Sequence, residues 1–172
     1  MHVKAGGHTP PQAQAPESYA APGDTALPAD QALKLVTSDL IKEAGYTHNL
    51  GWPVDDQPIW MQTRAGPLLS VPYPMELNDA GAQAHRDHTG RQFAEMIVDQ
   101  FEELLEQSER QPLVYALSLH GFIVGQPFRL RPVRQAIKHC VEHKLKDRVW
   151  FCKPCDIADY CYTLAPGIIP GS

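Results

Sequence analysis

The sequence predicts an α/β fold in which strands alternate with helices and pair in parallel. Short apolar runs rich in β-branched and aromatic residues recur at 46–50, 67–71, 113–119 and 148–152. Segments of helical period lie around them, at 31–44, 90–107, 132–144 and 154–164. That alternation implies an α/β barrel or a doubly wound sheet. With 172 residues, 43% of them hydrophobic and 20% charged, the chain is long enough to bury one real core.

Residues 1–29 differ from the rest. They carry Pro, Gly, Ala and Gln and almost no large apolar side chains. Such a segment cannot bury enough surface to offset its ordering entropy, so disorder is expected there, with the folded domain spanning 30–172. Asp30 reads as an N-cap for the first helix. Leu33, Val36, Leu40 and Ile41 share one face of it, and Gly45 provides the stop. Residues 51–58 form a turn-rich loop with two adjacent carboxylates, Asp55 and Asp56. Residues 79–88 are polar and irregular. Thr89 caps the clearest helix, where Phe93, Met96, Ile97, Phe101, Leu104 and Leu105 oppose an acidic face. After the apolar run 113–119 comes His120 and a glycine-punctuated loop. Pro132 suits the first position of the next helix, with Val133, Ile137 and Val141 facing inward.

The formal charge is −5 and no basic stripe interrupts it, which argues against nucleic acid or an anionic membrane as partner. No apolar run reaches the length of a membrane span. A reducing, cytoplasmic setting is expected, and the four cysteines then read as thiols or ligands.

A histidine at the end of a buried strand, before a loop and a helix, occupies the place where α/β folds hold their chemistry. If the strands are parallel, the loops after them open on one face and gather Asp55, Asp56, Tyr73, Glu76, Asn78, His120 and the Cys152–Cys155 turn around one mouth. The two aspartates can serve as a base, as metal ligands, as an orienting carboxylate for a histidine acid, or simply as turn caps. Cys140, His143, Cys152 and Cys155 have zinc-ligand spacing in each half, although eight residues between the halves is short for a zinc ribbon. His139 and His143 fall on one helical face, the pattern of adventitious metal binding and of ordinary surface histidines alike.

Several stretches resemble a known family. Asp39-Leu-Ile-Lys-Glu-Ala-Gly-Tyr46, Trp52-x-x-Asp-Asp-Gln-Pro58, Val71-Pro-Tyr-Pro-Met-Glu-Leu-Asn78, Gly90 to Phe101, Leu117-x-Leu-His120 and Ile123-Val-Gly-Gln-Pro-Phe-Arg129 are similar to the second half of polysaccharide deacetylase (NodB-homology) proteins, in particular their allantoinase-like branch. The resemblance implies an incomplete (β/α) barrel and hydrolysis of carbon–nitrogen bonds other than peptide bonds, in N-acetylated glycans or small ureides. It makes His120 the candidate general acid. An imidazole, whose ordinary pKa lies near neutrality, can hold a proton for a departing amine. It sets Asp55 and Asp56 near the pocket, orienting His120 or contacting substrate, and places Trp52, Tyr73, Glu76, Asn78 and Gln126 at substrate-contacting positions.

The family's cofactor is a divalent metal, commonly zinc. Its usual ligands and catalytic base come from an early Asp-Asp strand end and a following His-x-x-x-His motif, and neither occurs before residue 39. Gly121 also stands where the branch usually has proline. The expectation is therefore a C-terminal portion, inactive alone, whose open strand edges and uncovered apolar face favour association. A non-enzymatic interaction module and a small structural zinc domain are the alternatives.

Overall fold

The computed structural model describes residues 29–53 and 55–171, with side chains from residue 36 onward. The disorder expected for 1–29 falls, up to residue 28, outside the described residues; Ala29 and Asp30 are already helical, so Asp30 lies inside the first helix instead of capping it. The architecture is mixed α/β, with five α-helices and a three-stranded sheet among the described residues.

Helix α1 (Ala29–Glu43) ends as the sequence predicts. Gly45 takes a left-handed φ of 87°, which only glycine adopts freely, and its N–H and that of Tyr46 turn back to the carbonyls of Lys42 and Ile41. Strand β1 (His48–Asn49) pairs in parallel with β3 (Gly66–Ser70), His48 opposite Leu69. Between them in sequence is β2 (Ile59–Thr63), which pairs antiparallel with β3 in a hairpin, Thr63 opposite Gly66. Gly66 has a φ of 102°, so the turn at Arg64 and Ala65 closes without strain on a side chain. Strand order is β1-β3-β2.

The sheet departs from the expected alternation of parallel strands. β2 is an unforeseen strand, and its pairing is antiparallel. The apolar run 113–119 makes a single parallel bridge, Ser118 to Asn78, instead of a ladder. Residues 148–152 follow a 3₁₀ turn (Lys146–Arg148) with no strand partner among the described residues, and Trp150 and Phe151 lie exposed. Both runs have strand composition; among the described residues neither pairs along its length, and a strand is defined by its partner.

Helix α2 (Gly90–Gln107) begins at the predicted cap. Thr89 Oγ1 accepts the Gln92 N–H at 3.2 Å, and Gln92 Oε1 accepts the Thr89 N–H at 2.9 Å. Phe93, Ile97, Phe101 and Leu105 from its inner face pack with Val133, Ala136 and Cys140 of α4 (Pro127–Val141) and with Leu77 and Leu117 to form the larger core. Gly90 permits the close crossing of these helices, since a Cβ there would lie 2.8 Å from Arg129 Cα.

A short α3 (Gly121–Val124) precedes α4, which starts at Pro127 instead of Pro132. Pro127 fills the first helical position, where its missing N–H costs nothing. Pro132 lies inside the helix and forgoes one backbone bond, tolerated because the next turns bury Val133, Ala136 and Cys140 against α2. The smaller core joins Leu69 and Val71 of the sheet side to Ala158 and Cys161 of α5 (Pro154–Tyr162) and to Ile169. The C-terminal tail runs back to β2, where the Trp60 N–H donates to Pro170 O at 2.8 Å. None of the described helices is long and apolar enough to cross a membrane.

Candidate functional site

Two short extended segments create the site. Leu77–Asp79 and Leu117–His120 run in parallel beside each other. The Ser118 N–H donates to Leu77 O (2.9 Å) and the Asp79 N–H donates to Ser118 O (3.1 Å). Both leave this contact by entering helices: a π-helical turn (Ala80–His85) after Asp79, and α3 after His120. Such π turns are frequent at functional sites. His120 keeps an extended backbone (φ −107°, ψ 120°) as the N-cap of α3.

Asp79 is fully buried, and its carboxylate accepts from His120 twice. The His120 amide donates to Asp79 Oδ2 at 2.8 Å, and ring Nδ1 lies 2.6 Å from Oδ1. A carboxylate accepts and an imidazole N–H donates, so the proton between them belongs to Nδ1. A buried carboxylate is tolerated only when paired in this way. The backbone bond fixes where the carboxylate sits, and the ring bond fixes the plane of the imidazole. The His120 side chain remains 36% exposed, and Nε2 has no hydrogen-bond partner among the described residues.

Next to this pair, Tyr73 OH lies 3.2 Å from Ser118 Oγ and accepts from Asn78 Nδ2 at 3.2 Å, while Asn78 Oδ1 accepts the Ala80 N–H. Tyr73 and Ser118 line a narrow cleft of about 40 Å³ with Leu50, Val71 and Cys152. Three residues singled out from the sequence, Tyr73, Asn78 and His120, thus meet through two that were not, Ser118 and Asp79.

The other predicted positions lie elsewhere. The Asp56 carbonyl accepts the Val114 N–H at 2.8 Å, at the start of the run that ends in His120. His120 lies six residue steps beyond Val114 along an extended run, about 20 Å at roughly 3.3 Å per step. The carboxylate on His120 is therefore Asp79, not Asp55 or Asp56. Burial pushes the Asp56 carboxyl above its usual range, with Asp55 adding to it. Trp52 turns to α1, its Nε1 donating to Ser38 Oγ at 3.3 Å. Glu76 is exposed and sits 4.0 Å from Arg86, and Gln126 is the exposed N-cap residue of α4.

Asp79 left one trace in the sequence: it directly follows the Met-Glu-Leu-Asn78 stretch. The zinc set of Cys140, His143, Cys152 and Cys155 is not assembled. Among the described residues, the ligand atoms that come together within 4.8 Å belong to Glu102, His139 and His143. All four cysteines are free.

The donors beside His120 do not fit a catalytic divalent metal. They offer one carboxylate, with both oxygens already engaged by His120, and among the described residues no second imidazole or carboxylate gathers with them into a ligand group.

No protein-family model matches the chain, and no curated protein matches it. Solved structures do. A product assigned as a polysaccharide deacetylase in Pseudomonas aeruginosa PAO1 is 27% identical with a TM-score of 0.65, covering 74% of this chain and 42% of its own. Puue allantoinase is 26% identical with a TM-score of 0.66, with the same two coverages. A product assigned as a polysaccharide deacetylase in Mycobacterium smegmatis, at 20% identity and a TM-score of 0.60 over 76% of this chain and 47% of its own, shares the fold. The chain spans less than half the length of each of these structures. It is similar, over three quarters of its residues, to a C-terminal portion of the polysaccharide deacetylase family, the allantoinase-like branch included.

Proposed function

We propose that the chain carries the proton-donating part of a carbon–nitrogen hydrolase site of the polysaccharide deacetylase type, acting on N-acetylated glycans or small ureides. The His120–Asp79 pair carries this reading. When water adds to an amide or ureide carbonyl and the carbon–nitrogen bond breaks, the nitrogen leaves as an amine only if it gains a proton. His120 Nε2 donates that proton, while the Nδ1–H bond to buried Asp79 holds the ring in the orientation that transfer requires. We assign Tyr73 and Asn78, joined to each other and to Ser118 by hydrogen bonds, to substrate contact.

The base that activates water, and the electrophile that polarises the carbonyl, are not supplied beside His120. We therefore infer that the isolated chain does not turn over, and that it forms part of a larger barrel. Supporting this, a cleft of about 730 Å³ opens between α2 and α5, walled by Leu104, Leu105, Val149, Trp150, Ile157 and Ile168. Such an apolar surface is ordinarily covered by further polypeptide. The same cleft favours the second reading, an interaction module without chemistry of its own. The free cysteines support a reducing, cytoplasmic setting.

The test is amine release from N-acetylglucosamine oligomers, and ring opening of a small cyclic ureide, by the purified chain with and without added zinc. No turnover above that of His120→Ala is expected. Metal-dependent turnover that His120→Ala abolishes would show the site to be complete already.

A further inference from the structure

We propose that Glu102, His139 and His143 form a site for one divalent transition-metal ion of zinc type, which clips the second half of α2 to the end of α4. This site is separate from His120 and does not depend on the hydrolase reading. Twelve residues of helix at about 1.5 Å each place His139 some 18 Å along α4 from its start beside α3.

The geometry comes from α2 and the C-terminal end of α4. His139 lies in the last turn of α4 and His143 directly after its C-cap Glu142, whose N–H still donates to Lys138 O. The two imidazole centroids are 5.6 Å apart. From α2, Glu102 Oε1 comes within 2.6 Å of His139 Nε2 and 3.4 Å of His143 Nε2. Ligand bonds of about 2.0–2.1 Å in a tetrahedral site put donor atoms about 3.3 Å from one another. The His143–Glu102 pair is already at that separation. The His139–Glu102 pair must open by about 0.7 Å, a small rotation for side chains that are 42% and 45% exposed. Two imidazoles and one carboxylate, with a fourth position open to water, suit zinc and its neighbours far better than calcium or magnesium.

The setting is preorganised on one side. Phe101, the residue before Glu102, is buried and meets both imidazoles edge-on, at 6.4 Å from His139 and 5.6 Å from His143. His143 is only 9% exposed. Its Nδ1 accepts the Leu145 N–H at 3.2 Å, so in the metal-free chain its ring proton sits on Nε2 and points at Glu102. Metal binding at Nε2 requires that proton to move to Nδ1, and the Leu145 amide then loses its acceptor. The site therefore carries its own reporter.

The experiment uses the full chain, stripped with chelator and titrated with zinc chloride and with cobalt chloride. Calorimetry gives stoichiometry and affinity, and ¹⁵N–¹H spectra follow the Leu145 amide. One equivalent of metal is expected, with the Leu145 resonance shifting in step. Affinity should fall at least about tenfold in each of Glu102→Gln, His139→Gln and His143→Gln. Replacing Cys152 and Cys155 by Ser, or His85 and His88 by Gln, should leave it unchanged. The exposed Glu102→Gln and His139→Gln variants are expected to keep the parent circular dichroism spectrum, so that lost binding reports lost ligands. Binding that survives Glu102→Gln and His139→Gln, binding lost only with the cysteines, or no binding at all would each overturn the proposal.

Discussion

Removing either half of the Asp79–His120 pair should cost stability in a pattern that only a shared hydrogen bond produces. Asp79 is fully buried and accepts twice from His120, at 2.8 Å and 2.6 Å. Hydrogen bonds to a charged acceptor contribute about 1.5–3 kcal/mol each. Asp79→Ala removes both, strands the His120 amide and leaves a void, for an expected loss of about 3–5 kcal/mol. Asp79→Asn keeps the shape and one acceptor oxygen but sets an amide N–H₂ against one of two donors, for about 1.5–3 kcal/mol. His120→Ala removes only the ring, which is partly exposed, while the backbone amide still serves the carboxylate. About 1–2 kcal/mol is expected there, discounted for solvent screening.

In the double variant the Asn no longer faces a ring donor, so the two losses should fall short of additive by about 1–2 kcal/mol. Urea unfolding of wild type, Asp79→Asn, His120→Ala and the double variant measures this directly. A coupling below about 0.5 kcal/mol would mean that ring and carboxylate do not share a proton in solution, and the positioning argument would fall.

Two further outcomes follow from the same structure. Gly121 stands at the first position of α3, a Cβ there meets nothing within 4 Å, and His120 before it already has the extended backbone that a following proline demands. Gly121→Pro should therefore stabilise the chain by about 0.4–1 kcal/mol in urea unfolding, and a loss of more than 1 kcal/mol would contradict this placement of α3. Burial pushes the Cys140 thiol up to about 11, and Cys155 is exposed. Iodoacetamide near pH 8, followed by peptide mass mapping, should label Cys155 first and leave Cys140 unmodified until the chain unfolds; early labelling of Cys140 would contradict the packing of α4 on α2.

What could be read from the sequence was local. The Thr89–Gln92 cap and the stripe from Phe93 to Leu105 specify α2 without reference to anything distant, and Gly45 ends α1 by its own backbone freedom. His120 stood out because a histidine closing an apolar run is conspicuous in one dimension. The sheet was harder. Runs 113–119 and 148–152 have strand composition, yet pairing is decided by which edge lies alongside, and among the described residues none pairs along their length. The hairpin of β2 and β3 was missed although Ala65-Gly66 marks its turn, because Trp-Met-Gln-Thr does not alternate cleanly. Pro132 misplaced the start of α4, since a proline that begins a helix and one that interrupts it look alike until packing is known.

At the site, the loss is sharper. Asp79 and His120 are 41 residues apart, and nothing in either neighbourhood states that 77–79 and 117–120 run side by side. The adjacent pair Asp55-Asp56 drew attention instead, and it is held at the opposite end of the run, against Val114.

The most direct measurement is the tautomer of His120, read from the ¹⁵N shifts of its two ring nitrogens. A proton donor positioned by Asp79 must keep Nδ1 protonated in the neutral ring, leaving Nε2 as the nitrogen that gains and gives the transferable proton. The account predicts the Nδ1–H form in the wild type and its loss in Asp79→Asn. A neutral ring protonated on Nε2, indifferent to Asp79→Asn, would contradict it.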